Sequence, residues 1–238
     1  MSSTPHRSPI NQRREEWLQK IRVEWYRVIR PLGNWLPWDI RDQLSLDDTE
    51  TEDYFSPAPT LENIHVQHCR VVPDRFRLLV DCLPTNSICC EVGTDTGAFA
   101  KKILELSKPS ELHLIDISLN NFKRADFSSA IESGTVSLHE GDSVAELNKF
   151  PNGYFDWIYI DGNHSYDGVS RDTKAAKHKI KPTGMLAFND YIFWSHRELM
   201  CYGVMQAVNE FCIKEAWEIV YLALNGEGVN DVVLREIS

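Results

Sequence analysis

Two short stretches of the chain place chemically active groups close together. "IDGNHSY" carries Asp161 and, three residues on, His164; "FND" carries Asn189 and Asp190. An imidazole with an ordinary pKa of about 6.5 changes charge near neutrality and is suited to moving a proton. The carboxylates beside it can orient it or hold a cation. The same residues also have plain readings. Asp161 and Asp190 are good caps for the loops they open, and His164 can order its loop by hydrogen bonding.

What separates these readings is the company the residues keep. The chain from Pro73 onward alternates apolar runs with helical stretches. The runs "SICCEV", "ELHLIDI", "TVSLHE", "FDWIYID" and "GMLAFND" predict strands; "GAFAKKILELS", "LNNFKRADFSSAIES", "SVAELNKF" and "YDGVSRDTKAAKHKIK" predict helices between them. "PDRFRLLVDCL" reads as a helix with proline at its first position, and "RELMCYGVMQAVNEFCIKEA" as one long helix. "WEIVYLAL" and "DVVLREI", joined by "NGEGVN", predict an antiparallel hairpin at the end. The fold class predicted is α/β: a Rossmann-like, seven-stranded, mostly parallel sheet with helices on both faces.

In such a sheet, ligands bind beyond the carboxyl ends of the strands, where the strand order switches. Polar residues, mostly acids, recur at those ends. The first strand runs into "EVGTDTG", with Glu91, Gly93 and Gly97; the second ends at Asp116, which can accept from ribose hydroxyls; the third is followed by Asp142 and Ser143. The fourth and fifth carry the residues named first. Capping explains one or two such positions, but five form a pattern. If the fourth and fifth strands are neighbours, Asp161, His164, Asn189 and Asp190 converge at one rim.

The run "EVGTDTG…LIDIS…EGDS…YIDGNHSYDGVSRD…GMLAFNDY" resembles the class I S-adenosylmethionine-dependent methyltransferases, and within them the small-molecule O-methyltransferases of the macrolide-sugar and antibiotic type. The "YGVMQAVNEF" helix is similar to a stretch found there. The resemblance covers about Pro73 to the C-terminus. It implies a donor site of Glu91, Gly93, Thr94, Gly97, Asp116, Ile117, Asp142, Ser143 and Asp161. It also implies His164 as general base with Asp161 beside it, and a Mg²⁺ ion at Asp161, Asn189 and Asp190, which could orient and acidify an acceptor hydroxyl. Asn189 departs from the pattern, standing where an acid is common. Asp95 departs too, replacing a glycine. An acid there would repel a pyrophosphate but suits a phosphate-free, cationic sulfonium, which favours the methyl donor over a dinucleotide. An NAD-linked oxidoreductase is disfavoured on that ground and by the missing GxGxxG. A donor-binding or scaffolding protein without turnover is the alternative.

Bulk properties agree with a small-molecule acceptor. A net charge of −10 argues against nucleic acid or an anionic membrane as partner. The polar N-terminus has no secretory core and no apolar run is long enough to span a bilayer, so the expected location is cytoplasmic. The six cysteines lack CxxC spacing and read as buried free thiols. Lys174, Lys177 and Lys179 read as a solvated helix face.

Residues 1–72 form a separate segment in this reading, with 73–238 as the donor-binding domain. A helix is predicted over 14–30, followed by the break "PLGNWLPW" and the acidic loop "DDTETEDYFSPAPT". Four of the seven tryptophans lie before Asp39, which suits a lid or a homo-oligomer contact. Trp35, Trp38, Tyr54 and Phe55 are the candidates there. Tyr191, Trp194, His196 and Tyr202 are candidates for the acceptor pocket.

Overall fold

The computed structural model describes residues 58–198 and 200–237. The helix expected over 14–30 and the tryptophan-rich segment lie outside the described residues.

Among the described residues ten strands and six α-helices follow one another. The strands are β1 (Arg70–Val72), β2 (Ile88–Val92), β3 (Glu111–Asp116), β4 (Val136–Glu140), β5 (Phe155–Ile160), β6 (Ile180–Phe188), β7 (Trp194–Ser195), β8 (Met200–Cys201), β9 (Trp217–Ala223) and β10 (Asp231–Glu236). The helices are α1 (Arg75–Arg77), which continues as a π-helical turn over Leu78–Cys82, then α2 (Ala98–Leu106), α3 (Ser128–Glu132), α4 (Ser143–Leu147), α5 (Tyr166–Lys179) and α6 (Val204–Glu215).

The main sheet has eight strands, in the order β1-β9-β10-β6-β5-β2-β3-β4. Only β10 runs antiparallel to its neighbours. The count exceeds the expected seven by β1, which pairs in parallel with β9 at the sheet edge. Three residues ahead of Pro73 are too few to show a period, so nothing in the sequence marked them as a strand. The C-terminal hairpin β9–β10 is as expected.

Both faces of the sheet are covered, and the adjacent cysteines show it. Cys89 and Cys90 are both fully buried, yet they belong to different apolar clusters, one on each face. Such two-sided burial is why β2, β3 and β5 read as continuous apolar runs. Cys212 is buried as well, whereas Cys69, Cys82 and Cys201 are only partly covered, so burial holds for three of the six. Trp157 is fully buried in β5 with its indole N–H donated to Ser87 Oγ at 2.9 Å, which satisfies its one polar atom. Lys179 departs from the expected solvated face. It is buried, and its ammonium donates to Phe150 O and Asn152 Oδ1, each at 3.0 Å.

Two other differences bear on the site. The helix expected to begin at Pro73 begins at Arg75, capped by Asp74, whose Oδ1 accepts from Phe76 N and Arg77 N at 2.8 and 2.9 Å. The long helix expected from Arg197 starts only at Val204, and Trp194–Ser195 and Met200–Cys201 form the small antiparallel pair β7–β8 ahead of it. Gly203 fixes that boundary. Its N–H donates to His164 O at 2.8 Å, and a Cβ there would lie 2.1 Å from Tyr166 N. The chain must therefore return to the His164 loop before it can turn into α6. Among the described residues no helix is long and apolar enough to cross a membrane.

Candidate active site

The strand order reverses at β2. From there β3 and β4 lie to one side and β5 and β6 to the other, so the carboxyl ends of β2 and β5 open onto the switch point. Asp161 N donates to Val92 O at 2.8 Å and Asn189 N to Ile160 O at 3.0 Å, which brings the ends of β2, β5 and β6 into one row.

Gly93 sits at the centre of this row for reasons of packing. Its φ is +87°, and a Cβ would lie 2.2 Å from Asp161 O. Gly97, at φ +83°, likewise backs onto the Phe122 ring at 2.6 Å. Both glycines are therefore required by the protein's own close approach. Gly93→Ala is expected to cost more than about 3 kcal/mol of stability, because its neighbour there is backbone and cannot step aside. Urea unfolding measures this.

Glu91 is buried at 1% exposure and accepts from Thr94 Oγ1 at 2.6 Å. Burial pushes its pKa up to about 8, only partly offset by the Thr94 hydrogen bond, with Asp161 adding to the rise. Asp95 is exposed and takes the left-handed conformation at φ +43°; its N–H donates to Asp116 Oδ2 at 2.8 Å, and its own carboxylate accepts from Asn121 Nδ2 at 3.1 Å. Asp116 Oδ1 accepts from Ser118 N at 3.0 Å, so backbone donors hold the carboxylate at the strand end. Next to it Ile117 is 74% exposed.

Asp142 caps α4 through Ala145 N at 3.1 Å and pairs with Arg171 at 3.0 Å. Ser143 Oγ donates to the buried Asp172, a residue the sequence reading had passed over.

At the end of β5, Asp161 divides its two oxygens. Oδ1 lies 3.3 Å from His164 Nε2, an ion-pair distance without an aligned hydrogen bond, and Oδ2 lies 3.6 Å from Arg75 Nη2. The His164 ring stacks on Tyr202 with centroids 4.5 Å apart. Burial is the largest influence on His164 and disfavours its charged form. Asp161, Asp190 and Glu198 together outweigh it, so the pKa is raised. Asp190, at φ +52°, has a raised pKa, first from burial and also from Asp161.

Asn189 is buried, with Nδ2 donating to Asp231 Oδ1 at 3.1 Å. Asp231 also accepts from the buried Tyr159 hydroxyl and lies 3.2 Å from Arg75 Nε. Neither Arg75 nor Asp231 was foreseen. They lie in the predicted helix "PDRFRLLVDCL" and at the start of the predicted strand "DVVLREI".

The sequence-expected groups stand at the carboxyl ends of the strands; Asp142 and Ser143 follow β4, where Gly141 N donates to Asp116 O at 2.9 Å, and are engaged with Arg171 and Asp172. Tyr202 comes against His164, while Tyr191 points its hydroxyl to Asn209 Oδ1 at 2.6 Å. Trp194 is 41% exposed on β7.

Residues 90–191, which span this rim from β2 to just past β6, match the family model described as a methyltransferase domain. The match covers less than half of the chain, and within it the chain is similar to a methyltransferase domain. Solved structures agree on the fold. The pyocyanin biosynthetic protein PhzM superposes with a TM-score of 0.54 at 14% identity, over 68% of this chain and 54% of that one. The tRNA methyltransferase TrmK of B. subtilis gives 0.52 at 15% identity, over 70% and 67%. The O-methyltransferase TomG of Streptomyces achromogenes, solved with S-adenosylmethionine, gives 0.50 at 16% identity, over 64% and 74%. This chain therefore spans little more than half the length of PhzM. No curated protein matches it in sequence. Neighbours that differ this much in acceptor show that the methyltransferase fold leaves the acceptor open.

Proposed function

We propose that the methyltransferase domain binds S-adenosylmethionine across the ends of β2, β3 and β5 and passes its methyl group to a hydroxyl of a small molecule, with His164 as general base. The observation that carries this reading is the Asp161–His164 pair at the switch point, braced by Tyr202. In the step, the acceptor oxygen attacks the methyl carbon in line with the C–S bond. That bond breaks with its electrons passing to sulfur, and the hydroxyl proton passes to His164. The products are a methyl ether, S-adenosylhomocysteine and a protonated imidazole. The protein contributes chiefly alignment and deprotonation.

On the donor side, each Asp116 oxygen accepts one backbone N–H and keeps a further lone pair that suits a ribose, and exposed Ile117 offers an apolar surface to the base. Asp116, Asp161 and Asp190 make the rim acidic, which favours a sulfonium and opposes a phosphate. The net charge of −10 favours a small acceptor over a polyanion such as tRNA.

The expected Mg²⁺ does not fit these residues. Among the described residues no group of three or more His, Cys, Asp or Glu side chains is placed to hold a metal. Asp161 is already shared between an imidazole and a guanidinium, and Asn189 brings no negative charge to the rim. No step here is routed through a metal.

S-adenosylhomocysteine at about 100 times its Kd should stabilise the protein by about 2.7 kcal/mol, a clear rise in Tm. A screen of hydroxyl acceptors with labelled donor then tests transfer. Donor binding with no transfer to any acceptor would favour a non-catalytic role; no rise in Tm near saturation would count against the donor.

A further inference from the structure

The cation at this site is part of the chain. Arg75, the first residue of α1, reaches under the ends of β5 and β10. Its Nε lies 3.2 Å from Asp231 Oδ2, its Nη2 3.6 Å from Asp161 Oδ2, and the same Nη2 donates to the Tyr159 hydroxyl. The guanidinium lies over the Phe99 ring, 4.0 Å from its centroid, and the side chain is only 24% exposed. Two carboxylates, a phenol and an aromatic face thus enclose one planar, permanently charged group. Asp231 is 2% exposed, and a carboxylate so buried needs a compensating charge. Arg75 supplies it.

A divalent ion at the same rim would need several oxygen ligands, with carboxylates among them. Asp161 is the ligand common to both arrangements, and a guanidinium fixed against its Oδ2 repels a second cation. Asn189 contributes no charge and is held by the same Asp231 that Arg75 neutralises. The substitution of an amide for an acid in the sequence and the buried arginine in the structure therefore belong together: the site has one fewer negative charge and one resident positive charge.

We propose that Arg75 takes the place of a divalent metal in this site, so that the protein binds and needs none. The proposal rests on the methyl-transfer reading for the site's purpose, but its test measures metal uptake and stability, which do not depend on any acceptor.

The experiment titrates Mn²⁺ into the full chain, followed by calorimetry and by thermal melting, for the wild type, Arg75→Ala, Arg75→Lys and Asp161→Asn. The wild type is expected to show no saturable Mn²⁺ binding up to about 1 mM, the weak end of dedicated divalent sites, and an unchanged Tm in chelator. Arg75→Ala, which opens a space between uncompensated carboxylates, should melt several degrees lower and recover part of that loss in Mn²⁺, whereas Arg75→Lys keeps the charge and should take up no ion. Saturable Mn²⁺ binding by the wild type that disappears in Asp161→Asn would overturn the proposal, as would an Arg75→Ala protein that melts with the wild type. Should Arg75→Ala fail to fold, Arg75→Lys decides with the wild type: folded and free of Mn²⁺ supports the proposal, and Mn²⁺ uptake by it contradicts it.

Discussion

His164→Ala should lower turnover about 10²- to 10⁴-fold, the usual contribution of a positioned general base, while donor affinity stays within about threefold. The separation follows from position. His164 stands beyond β5 against Tyr202 and meets the Asp161 oxygen that Arg75 does not. A base must be unprotonated to act, and the pKa of His164 is raised above the ordinary histidine value by Asp161, Asp190 and Glu198 acting against its burial. The acid limb of the pH–rate profile should therefore lie above about 6.5. Asp161→Asn removes the nearest of these charges and should move the limb toward lower pH. Unchanged turnover in His164→Ala would reject the base, and an unmoved limb in Asp161→Asn would reject the pairing.

Glu91→Gln should weaken the donor and strengthen the empty protein. Burial holds the Glu91 carboxyl at a pKa of about 8, well above its value in an unfolded chain. The sign is then fixed. Below about 4.5 both states are protonated. Between about 4.5 and 8 the unfolded chain loses its proton while the folded one keeps it, so the folded state loses stability as pH rises through that window. His164, whose pKa is also raised, gives a loss of the same sign that the substitution leaves in place. A glutamine keeps the size and the Thr94 contact without ionising. Urea unfolding at pH 5 and pH 8 should show a smaller fall in stability for Glu91→Gln, by an amount on the order of a few kcal/mol at most. A bound sulfonium would favour ionised Glu91, so the same variant should bind S-adenosylmethionine about tenfold more weakly, with a smaller effect on uncharged S-adenosylhomocysteine sulfur. Equal losses for the two ligands would place Glu91 away from the sulfonium.

Much of the sheet could be read before the structure because its strands are buried on both faces. "ICCEV" and "FDWIYI" declare themselves as apolar runs, and the acids that follow mark their ends. The edge strand Arg70–Val72 could not be read, being three residues long with only Val72 buried. The opening of the long helix, which runs into β8 instead, has helical spacing; what overrides it is a contact between Gly203 and Tyr166 that no local pattern records. The site divides in the same way. Asp161, His164 and Asp116 were legible as strand-end residues, since the apolar runs before them mark where the strands stop. Arg75 and Asp231 were not, because they meet only when β10 inserts between β6 and β9. Asp95 looked decisive for the ligand. In the structure its left-handed turn and its N–H to Asp116 give it a mechanical task in shaping that carboxylate.

The central claim is that a nucleoside donor lies across the ends of β2, β3 and β5, hinged on Asp116. Calorimetric titration of S-adenosylhomocysteine into the wild type and Asp116→Ala tests it most directly. The account predicts saturable binding at one site per chain in the wild type and a loss of at least about tenfold in Asp116→Ala, the cost of one charged hydrogen-bonding partner. No binding heat in the wild type, or equal affinity in the two proteins, would contradict it.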